Sequence, residues 1–315
     1  MKKNQIKPII FSVICLLLFI TMLLSTFLFV GAHLQKPSSP SKSDLPYESL
    51  TPSPEPSEPI ISEVSKEEPS QLLPDSPSSD PGGDDQTTPW ILTAGNDGGM
   101  DYQNRLIFLG DSTTYGLLDR GLLPGGKDSK QVWFGVTGHT ITFKFHETIK
   151  ITDTYDYGTP DPANGLTIKD MAEKKKPEIL VVTLGVTGGV SYFSNNLTEE
   201  LFTMIYEKLI DDILQSSPET KIICNTIYPV CKEVDTKTVD ADITNPNIQK
   251  ANGWIEKTVA SYYESGKNVY FLDSYSLLVG EDGYLPADYT NGDGLHLSDS
   301  ALNKVLEILR THQIP

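Results

Sequence analysis

The chain has 315 residues, a formal net charge of −17 and 22 prolines. Apart from its lysine-bearing N-terminus the sequence is acidic, which excludes nucleic acid as a partner because a phosphate backbone requires a basic surface. With 3 cysteines and no CxxC pair, a structural zinc site is also excluded.

A long apolar stretch comes first in the chain. Residues 1–8 include Lys2, Lys3 and Lys7, and residues 9–31 are uncharged and mainly apolar. At a rise of 1.5 Å per residue, this stretch can cross about 30 Å of hydrocarbon, which predicts a transmembrane signal anchor. A cleavable signal peptide is the alternative, although its apolar core usually has only about 7–15 residues. Because lysines mark the cytoplasmic side, we predict a single-pass protein of the cell membrane with an extracellular catalytic domain.

Residues 32–97 have a different composition. Half of the 22 prolines lie between residues 37 and 86, among serines and acidic side chains and without a periodic apolar pattern. Such a segment buries too little apolar surface to offset its chain entropy, so we predict a disordered linker. The remaining residues, 98–315, have a length that suits one domain.

Four continuous apolar runs within residues 98–315 are typical of buried parallel strands. Helical patterns separate them, and in the helix predicted over residues 198–217 an apolar stripe is expected to face the sheet. This alternation predicts an α/β fold with a central parallel sheet. The runs are RLIFLG (105–110), EILVVTLGV (178–186), KIICNTIYPV (221–230) and NVYFLD (268–273), and the stripe is Leu201, Ile205, Leu209 and Ile213.

Two smaller features leave alternatives open. The run TITFKF (140–145), flanked by His139 and His146, is predicted to be a strand or hairpin. Cys224 and Cys231 either form a disulfide in an oxidising exterior, or Cys224 is a small buried residue of its strand.

The motif GDS (110–112) stands where the first predicted strand ends, and GVTGG (185–189) follows the second. In parallel α/β folds, working groups collect at the carboxyl ends of the strands. Ser112 is therefore a candidate nucleophile, but a serine hydroxyl needs a neighbouring base, and that base needs a group that orients it.

His296 is the best candidate base. It lies in DGLH (293–296), where Asp293 precedes it by three residues, so that a loop can bring the carboxylate to one imidazole nitrogen. Taken alone, the same segment is also compatible with a surface turn in which Ser298 is the N-cap of the last helix.

Together these motifs resemble the SGNH, or GDSL, hydrolase family. GDS, a glycine-rich turn in GVTGHT (135–140), GVTGG and DGLH occur in the family's order over about residues 104–311. The resemblance implies a flavodoxin-like three-layer α/β/α domain, with Ser112 as nucleophile, His296 as general base and then acid, and Asp293 as its orienting carboxylate.

The resemblance also implies an oxyanion hole made by the backbone N–H groups of Ser112 and Gly138 and by an asparagine side chain. Here Thr187 stands at the asparagine position. A threonine hydroxyl is shorter than the amide and has one donor hydrogen instead of two. Losing one oxyanion donor costs about 3 kcal/mol, so Thr187 predicts slower hydrolysis, unless the hole is rearranged.

These expectations lead to an extracellular serine esterase, an acylhydrolase that cleaves carboxylic esters and acts on O-acetyl groups of cell-wall or environmental glycans. We predict substrate contacts at Asp111, Gly185 and Trp133, and no metal or organic cofactor. The alternatives are a weakly active or inactive glycan-binding module, with Tyr115, Trp133 and the run TYDYG (154–158) lining a sugar cleft, and an O-acyltransferase that uses the same triad.

Overall fold

The computed structural model describes residues 88–154, 161–195, 197–234 and 239–315. These residues belong to one compact unit, Ser79–Pro315. The predicted cytoplasmic N-terminus, the transmembrane helix, the linker up to residue 87 and residues 155–158 lie outside the described residues. Among the residues that are described, no helix is long and apolar enough to cross a membrane.

The described chain alternates strands and helices as the apolar pattern predicts. The strands are β1 (Leu106–Gly110), β2 (Val132–Gly135), β3 (Ile151–Thr152), β4 (Ile179–Thr183), β5 (Lys221–Asn225) and β6 (Val269–Leu272). The helices are α1 (Gly99–Gln103), α2 (Ser112–Asp119), α3 (Ile168–Lys175), α4 (Glu199–Ser216), α5 (Asn245–Glu264), α6 (Ser274–Leu278) and α7 (Asp299–Thr311).

The six strands form one sheet in the order β3-β2-β1-β4-β5-β6. All neighbours are parallel except β3, which pairs antiparallel with β2 through Phe134–Thr152 and Gly135–Ile151. The parallel strands follow the flavodoxin-like order, with β1 beside β2 on one side and β4 on the other. The predicted α/β domain with a mainly parallel central sheet is confirmed.

Apolar side chains cover both faces of the sheet. Alternate residues of one strand point to opposite faces, so Leu109 of β1 packs with α3, α4 and α5, whereas Phe108 packs with α2 and α7. This two-sided burial explains why the strands are apolar runs without polar alternation.

One local prediction holds in part and another is wrong. The predicted stripe of α4 does face the core: Leu209 and Ile213 are completely buried, and Leu201 and Ile205 are partly buried and pack against it. The buried face also includes Phe202 and Tyr206, so it is centred closer to these aromatic side chains than the stripe predicts. Residues 140–145 form no strand; the segment ends in a single 3₁₀ turn, Phe143–Phe145, whose first residue is buried and whose last is exposed.

The folded region begins earlier than the predicted boundary at residue 98. The N–H of Leu92 donates to the carbonyl of Phe271 on β6, and the N–H of Phe271 donates to the carbonyl of Trp90, both at 2.8 Å. Leu92 is buried, and Ile91 forms a parallel bridge with Phe271. Residues 90–92 therefore extend the sheet beyond its edge strand β6. Ile91 and Leu92 also pack against the core, on opposite faces of the sheet.

The two cysteines of the described region are free thiols. Cys224 is completely buried on β5, and burial raises the pKa of its thiol to about 12. Cys231 donates from its sulfur to the carbonyl of Leu285 at 3.1 Å. Of the two alternatives, the structure has Cys224 as a small core residue and not as half of a disulfide.

Candidate active site

The motif residues meet at the carboxyl edge of the sheet. Ser112 follows β1 as the first residue of α2, and residues 184–189 follow β4. The DGLH segment lies in the loop before α7, which an antiparallel bridge between Thr290 and Leu297 closes. Segments far apart in the chain thus deliver the candidate nucleophile, the candidate base and its orienting carboxylate to one place.

Ser112, His296 and Asp293 form a continuous hydrogen-bonded line. Nε2 of His296 lies 2.9 Å from Oγ of Ser112, and Nδ1 lies 2.7 Å from Oδ2 of Asp293. In this arrangement Nδ1 donates its proton to the carboxylate, so Nε2 is free to accept the serine proton. The three groups are only partly buried, which leaves the serine oxygen accessible to a substrate.

The loop around Asp293 holds the carboxylate rigidly. Its other oxygen, Oδ1, accepts the backbone N–H groups of Leu295 and His296, both at 2.8 Å. Partial burial alone would raise the pKa of Asp293, but the bonds from the imidazole and the two N–H groups outweigh it and lower that pKa. The turn requires glycine at position 294 for two reasons. The backbone is left-handed there, at φ +82°, and an added Cβ would clash with the backbone of Glu233 and Val234.

Asp111 ties the turn after β1 to the turn after β4. Its Oδ1 accepts the N–H and hydroxyl of Thr113 at 3.1 and 2.7 Å, and its Oδ2 accepts the N–H of Val186 at 3.2 Å. A bond from the N–H of Thr187 also reaches this carboxylate. Burial nevertheless raises the pKa of Asp111, because the side chain is almost fully removed from water.

Thr187 stands where the family has asparagine, and its main chain is held at both ends. Besides the N–H bond to Asp111, its carbonyl accepts the N–H of Phe143 at 2.8 Å. The residue is half-buried. The position of its side chain is therefore determined by two packed loops.

The loop over residues 136–140 follows β2 and contacts the nucleophile directly. Oγ1 of Thr140 accepts the backbone N–H of Ser112 at 3.1 Å. Gly138 lies in the same loop at φ +74°, with open space where a side chain would stand. The ring of His139 stacks on Tyr115 with a centroid distance of 4.7 Å and an interplanar angle of 5°.

A cleft of about 380 Å³ opens beside the triad. Its walls combine polar side chains with apolar surface, and an ion pair of 2.9 Å between Arg120 and Asp299 holds the guanidinium at one side. The lining residues outside the triad include Tyr115, Asp119, Arg120 and Asn291.

Three predicted substrate contacts do not fit this geometry. The side chain of Trp133 is 1% exposed and belongs to the core, because β2 is covered on both faces. The carboxylate of Asp111 is engaged in the internal bonds described above. Gly185 is buried at φ +147° against Ile227, so its role is to allow the turn.

Sequence reasoning missed several residues around the site. Arg120 and Asn291 carry no motif of their own, whereas Thr140 is the last residue of the GVTGHT turn, which is the one signal that points to it. Tyr115 was expected to line a sugar cleft, and it does line the cleft beside Ser112.

The sequence matches a model described as the GDSL-like Lipase/Acylhydrolase family over residues 108–301, which is more than half of the chain and includes the whole triad. The chain belongs to this family. A GDSL-like protein is a hydrolase that acts on ester bonds, and the mixed α/β domain agrees with that membership. No curated protein sequence matches the chain.

The comparison with solved structures finds several similar chains at low sequence identity. A GDSL-like lipase from Bacteroides thetaiotaomicron is 14% identical, with 65% of this chain and 86% of that chain covered and a TM-score of 0.39. A family 3 carbohydrate esterase from Clostridium thermocellum is 18% identical, with coverages of 64% and 91% and a TM-score of 0.34. A family 3 carbohydrate esterase from Talaromyces cellulolyticus is 16% identical, with coverages of 64% and 92% and a TM-score of 0.38.

Proposed function

We propose that the chain is an extracellular serine esterase that removes short acyl groups, such as acetyl, from polyhydroxylated substrates such as glycans. The observation that supports this most is the hydrogen-bonded line from Asp293 through His296 to Ser112. Binding a ligand does not require a serine, a histidine and an aspartate that are hydrogen-bonded in this order. The presence of this line in the resting structure therefore favours catalysis over binding alone.

The geometry supports an acyl-enzyme mechanism. Oγ of Ser112 attacks the ester carbonyl carbon while its proton moves to Nε2 of His296. Asp293 stabilises the resulting imidazolium through Nδ1. Collapse of the tetrahedral intermediate releases the alcohol, which takes the proton from His296. Water then attacks the acyl-serine carbonyl and gives a proton to His296, and the acid leaves as Oγ of Ser112 takes that proton back.

The start of α2 assists at the developing oxyanion. Ser112 is the first residue of the helix, so its N–H has no partner within the helix and points out of the positive end of the helix dipole. Donors aimed at the position where negative charge develops contribute more than those that only bind the neutral ester. We assign the N–H of Ser112 to this role, with Gly138 and Thr187 as further candidates.

The cleft beside Ser112 supports a polar alcohol in the substrate. Asp119, Arg120 and Asn291 line it, and such side chains hydrogen-bond sugar hydroxyls but give poor cover to a long acyl chain. We therefore expect acetyl esters of saccharides to be cleaved faster than long-chain esters of simple alcohols.

The direct test is hydrolysis by the full-length protein. Release of chromophore from an acetyl ester should be measured for wild type and for Ser112→Ala, followed by acetate release from an acetylated saccharide. Wild-type turnover that disappears in Ser112→Ala is the expected result. Equal rates in the two proteins would contradict the proposal.

We further propose that residues 9–31 anchor the enzyme in the cell membrane and that residues 32–87 hold the domain outside the cell. The support is the uninterrupted apolar length after Lys2, Lys3 and Lys7, together with the proline-rich acidic composition that follows. Protease added to intact cells should remove the domain and leave the N-terminus protected. A protected domain would contradict this orientation.

A further inference from the structure

The hydroxyl of Thr140 occupies an unusual position next to the nucleophile. It accepts the backbone N–H of Ser112 at 3.1 Å, and that N–H is the one that an oxyanion bound to Ser112 must also approach. A threonine hydroxyl that accepts one hydrogen bond still has its own hydrogen to donate. The Thr140 hydroxyl therefore has a donor within reach of the developing charge.

The distances allow both oxygens to share the N–H. An oxyanion donor works at about 2.7–3.1 Å from the charged oxygen. An oxyanion that approaches the same N–H at this distance can come within hydrogen-bonding reach of Oγ1 of Thr140, so that the threonine donates to it while the N–H is shared between the two oxygens. Accepting the N–H also polarises the threonine O–H and makes it a better donor.

We propose that Thr140 is a catalytic residue whose hydroxyl donates to the oxyanion and replaces the amide donor that Thr187 does not supply. The inference rests on the proposed esterase function. It concerns a residue outside the three positions expected to form the oxyanion hole, Ser112, Gly138 and Thr187.

The loop that carries Thr140 is built to hold it in place. The carbonyl of Thr140 packs directly against Gly135, where any Cβ would clash with it. His139, the preceding residue, has a left-handed backbone at φ +60°, a conformation that is unfavourable for a non-glycine residue and persists only where the surrounding structure holds it. Its ring is stacked on Tyr115, which lies one turn beyond Ser112 on α2. The stack therefore fixes Thr140 relative to the nucleophile's own helix.

The position of Thr187 explains why a second hydroxyl is useful. Its N–H is bound to Asp111 and its carbonyl to Phe143, so its main chain cannot move towards the nucleophile. Its short side chain offers a single hydrogen, whereas the amide of an asparagine would extend further and offer two.

The test compares Thr140→Val with Thr140→Ser in the full-length protein. Valine keeps the shape and removes the hydroxyl, so kcat on a chromogenic acetyl ester should fall by about 10- to 100-fold with little change in KM. Serine restores the hydroxyl and should recover most of the rate. Thr148→Val, which removes the hydroxyl of an exposed threonine a few residues further on, should leave the rate unchanged. A boronic acid, which forms a tetrahedral anion on the serine, should bind Thr140→Val more weakly by a similar factor.

A double variant tests the relation to position 187. If Thr140 replaces a missing amide, Thr187→Asn should raise kcat more in the Thr140→Val background than in wild type. Equal effects in both backgrounds would show that the two positions act independently and would overturn the replacement.

Two outcomes would overturn the catalytic role itself. A Thr140→Val enzyme as fast as wild type or faster would show that the hydroxyl only occupies the N–H of Ser112 in the resting state. A Thr140→Ser enzyme as slow as Thr140→Val would show that restoring the hydroxyl does not restore the rate, so that the loss in both variants comes from disturbed packing of the loop. Covalent labelling of Ser112 by a fluorophosphonate separates these results from failure of the esterase proposal, in which wild type would show neither labelling nor turnover.

Discussion

Asp111 provides a sharp test of how the site is held together, because its carboxylate joins the two turns that flank Ser112. In Asp111→Asn one carboxylate oxygen becomes an NH₂ group. If the NH₂ group takes the place of Oδ2, the N–H of Val186 faces a donor instead of an acceptor. If it takes the place of Oδ1, the N–H of Thr113 does, whereas the hydroxyl of Thr113 can turn and accept from the new NH₂ group. The side chain is only 1% exposed, so water cannot replace the missing acceptor.

The size of the effect follows from two opposing contributions. Each buried donor left without an acceptor costs about 1–3 kcal/mol, and at least one N–H is affected in either orientation of the amide. Burial raises the pKa of Asp111, so removing the charge returns part of this cost. We expect a net loss of about 1–3 kcal/mol in the free energy of unfolding, together with a lower kcat, because residues 185–189 are no longer fixed relative to Ser112.

Urea unfolding followed by circular dichroism gives the stability, and acetyl ester hydrolysis gives the activity. The control is Asp101→Asn, which makes the same change at an exposed position of α1 and should alter neither quantity. If Asp111→Asn kept both the urea midpoint and kcat of wild type, the bonds from Val186 and Thr187 would not hold the two turns together.

Three further predictions concern other parts of the site. Asp293→Asn should lower kcat by about 10³–10⁴-fold through loss of imidazole orientation. The pKa of Asp293 is lowered in the folded protein, so its contribution to stability is present above the ordinary value of 3.8 and is lost as the pH falls through the folded pKa. The melting temperatures of wild type and Asp293→Asn should therefore converge in acid, and a constant difference would contradict this. His139→Ala should lower kcat up to about tenfold and His139→Phe should restore it, because the stack on Tyr115 is worth about 0.5–1.5 kcal/mol; equal rates would argue against the stack. Gly110→Ala should destabilise the fold by about 3 kcal/mol in urea unfolding, since its Cβ would overlap the Thr114 side chain; an unchanged midpoint would refute the close approach.

The sheet was predictable because its strands are buried on both faces. Continuous apolar runs mark β1, β4, β5 and β6, and helical patterns between them require parallel crossovers. The segment over residues 140–145 failed the same reasoning. Its alternation of Thr, Ile and Phe fits a strand, but the bond from the N–H of Phe143 to the carbonyl of Thr187 draws it into a 3₁₀ turn, and no local pattern encodes that contact.

The start of the folded region was also missed for a physical reason. Residues 88–97 have too few apolar side chains to predict an element by themselves. Their order comes from Trp90 and Leu92 pairing with the edge strand β6, a contact whose two halves are separated by most of the domain. A composition-based boundary therefore placed them in the linker.

Within the site, the sequence distinguished residues by motif but not by the direction of their side chains. Asp111 and Ser112 are neighbours in the same motif, yet the N-cap position requires the side chain of Asp111 to turn back onto the N–H of Thr113, towards the interior. Ser112, one residue later, begins the helix and presents its hydroxyl to His296. One peptide unit therefore separates a buried structural carboxylate from the candidate nucleophile. Trp133 is a core residue because β2 is covered on both faces, although its ring chemistry suits a sugar. Thr140 lies next to the candidate nucleophile because the loop after β2 returns to Ser112, a contact that the GVTGHT motif alone does not specify.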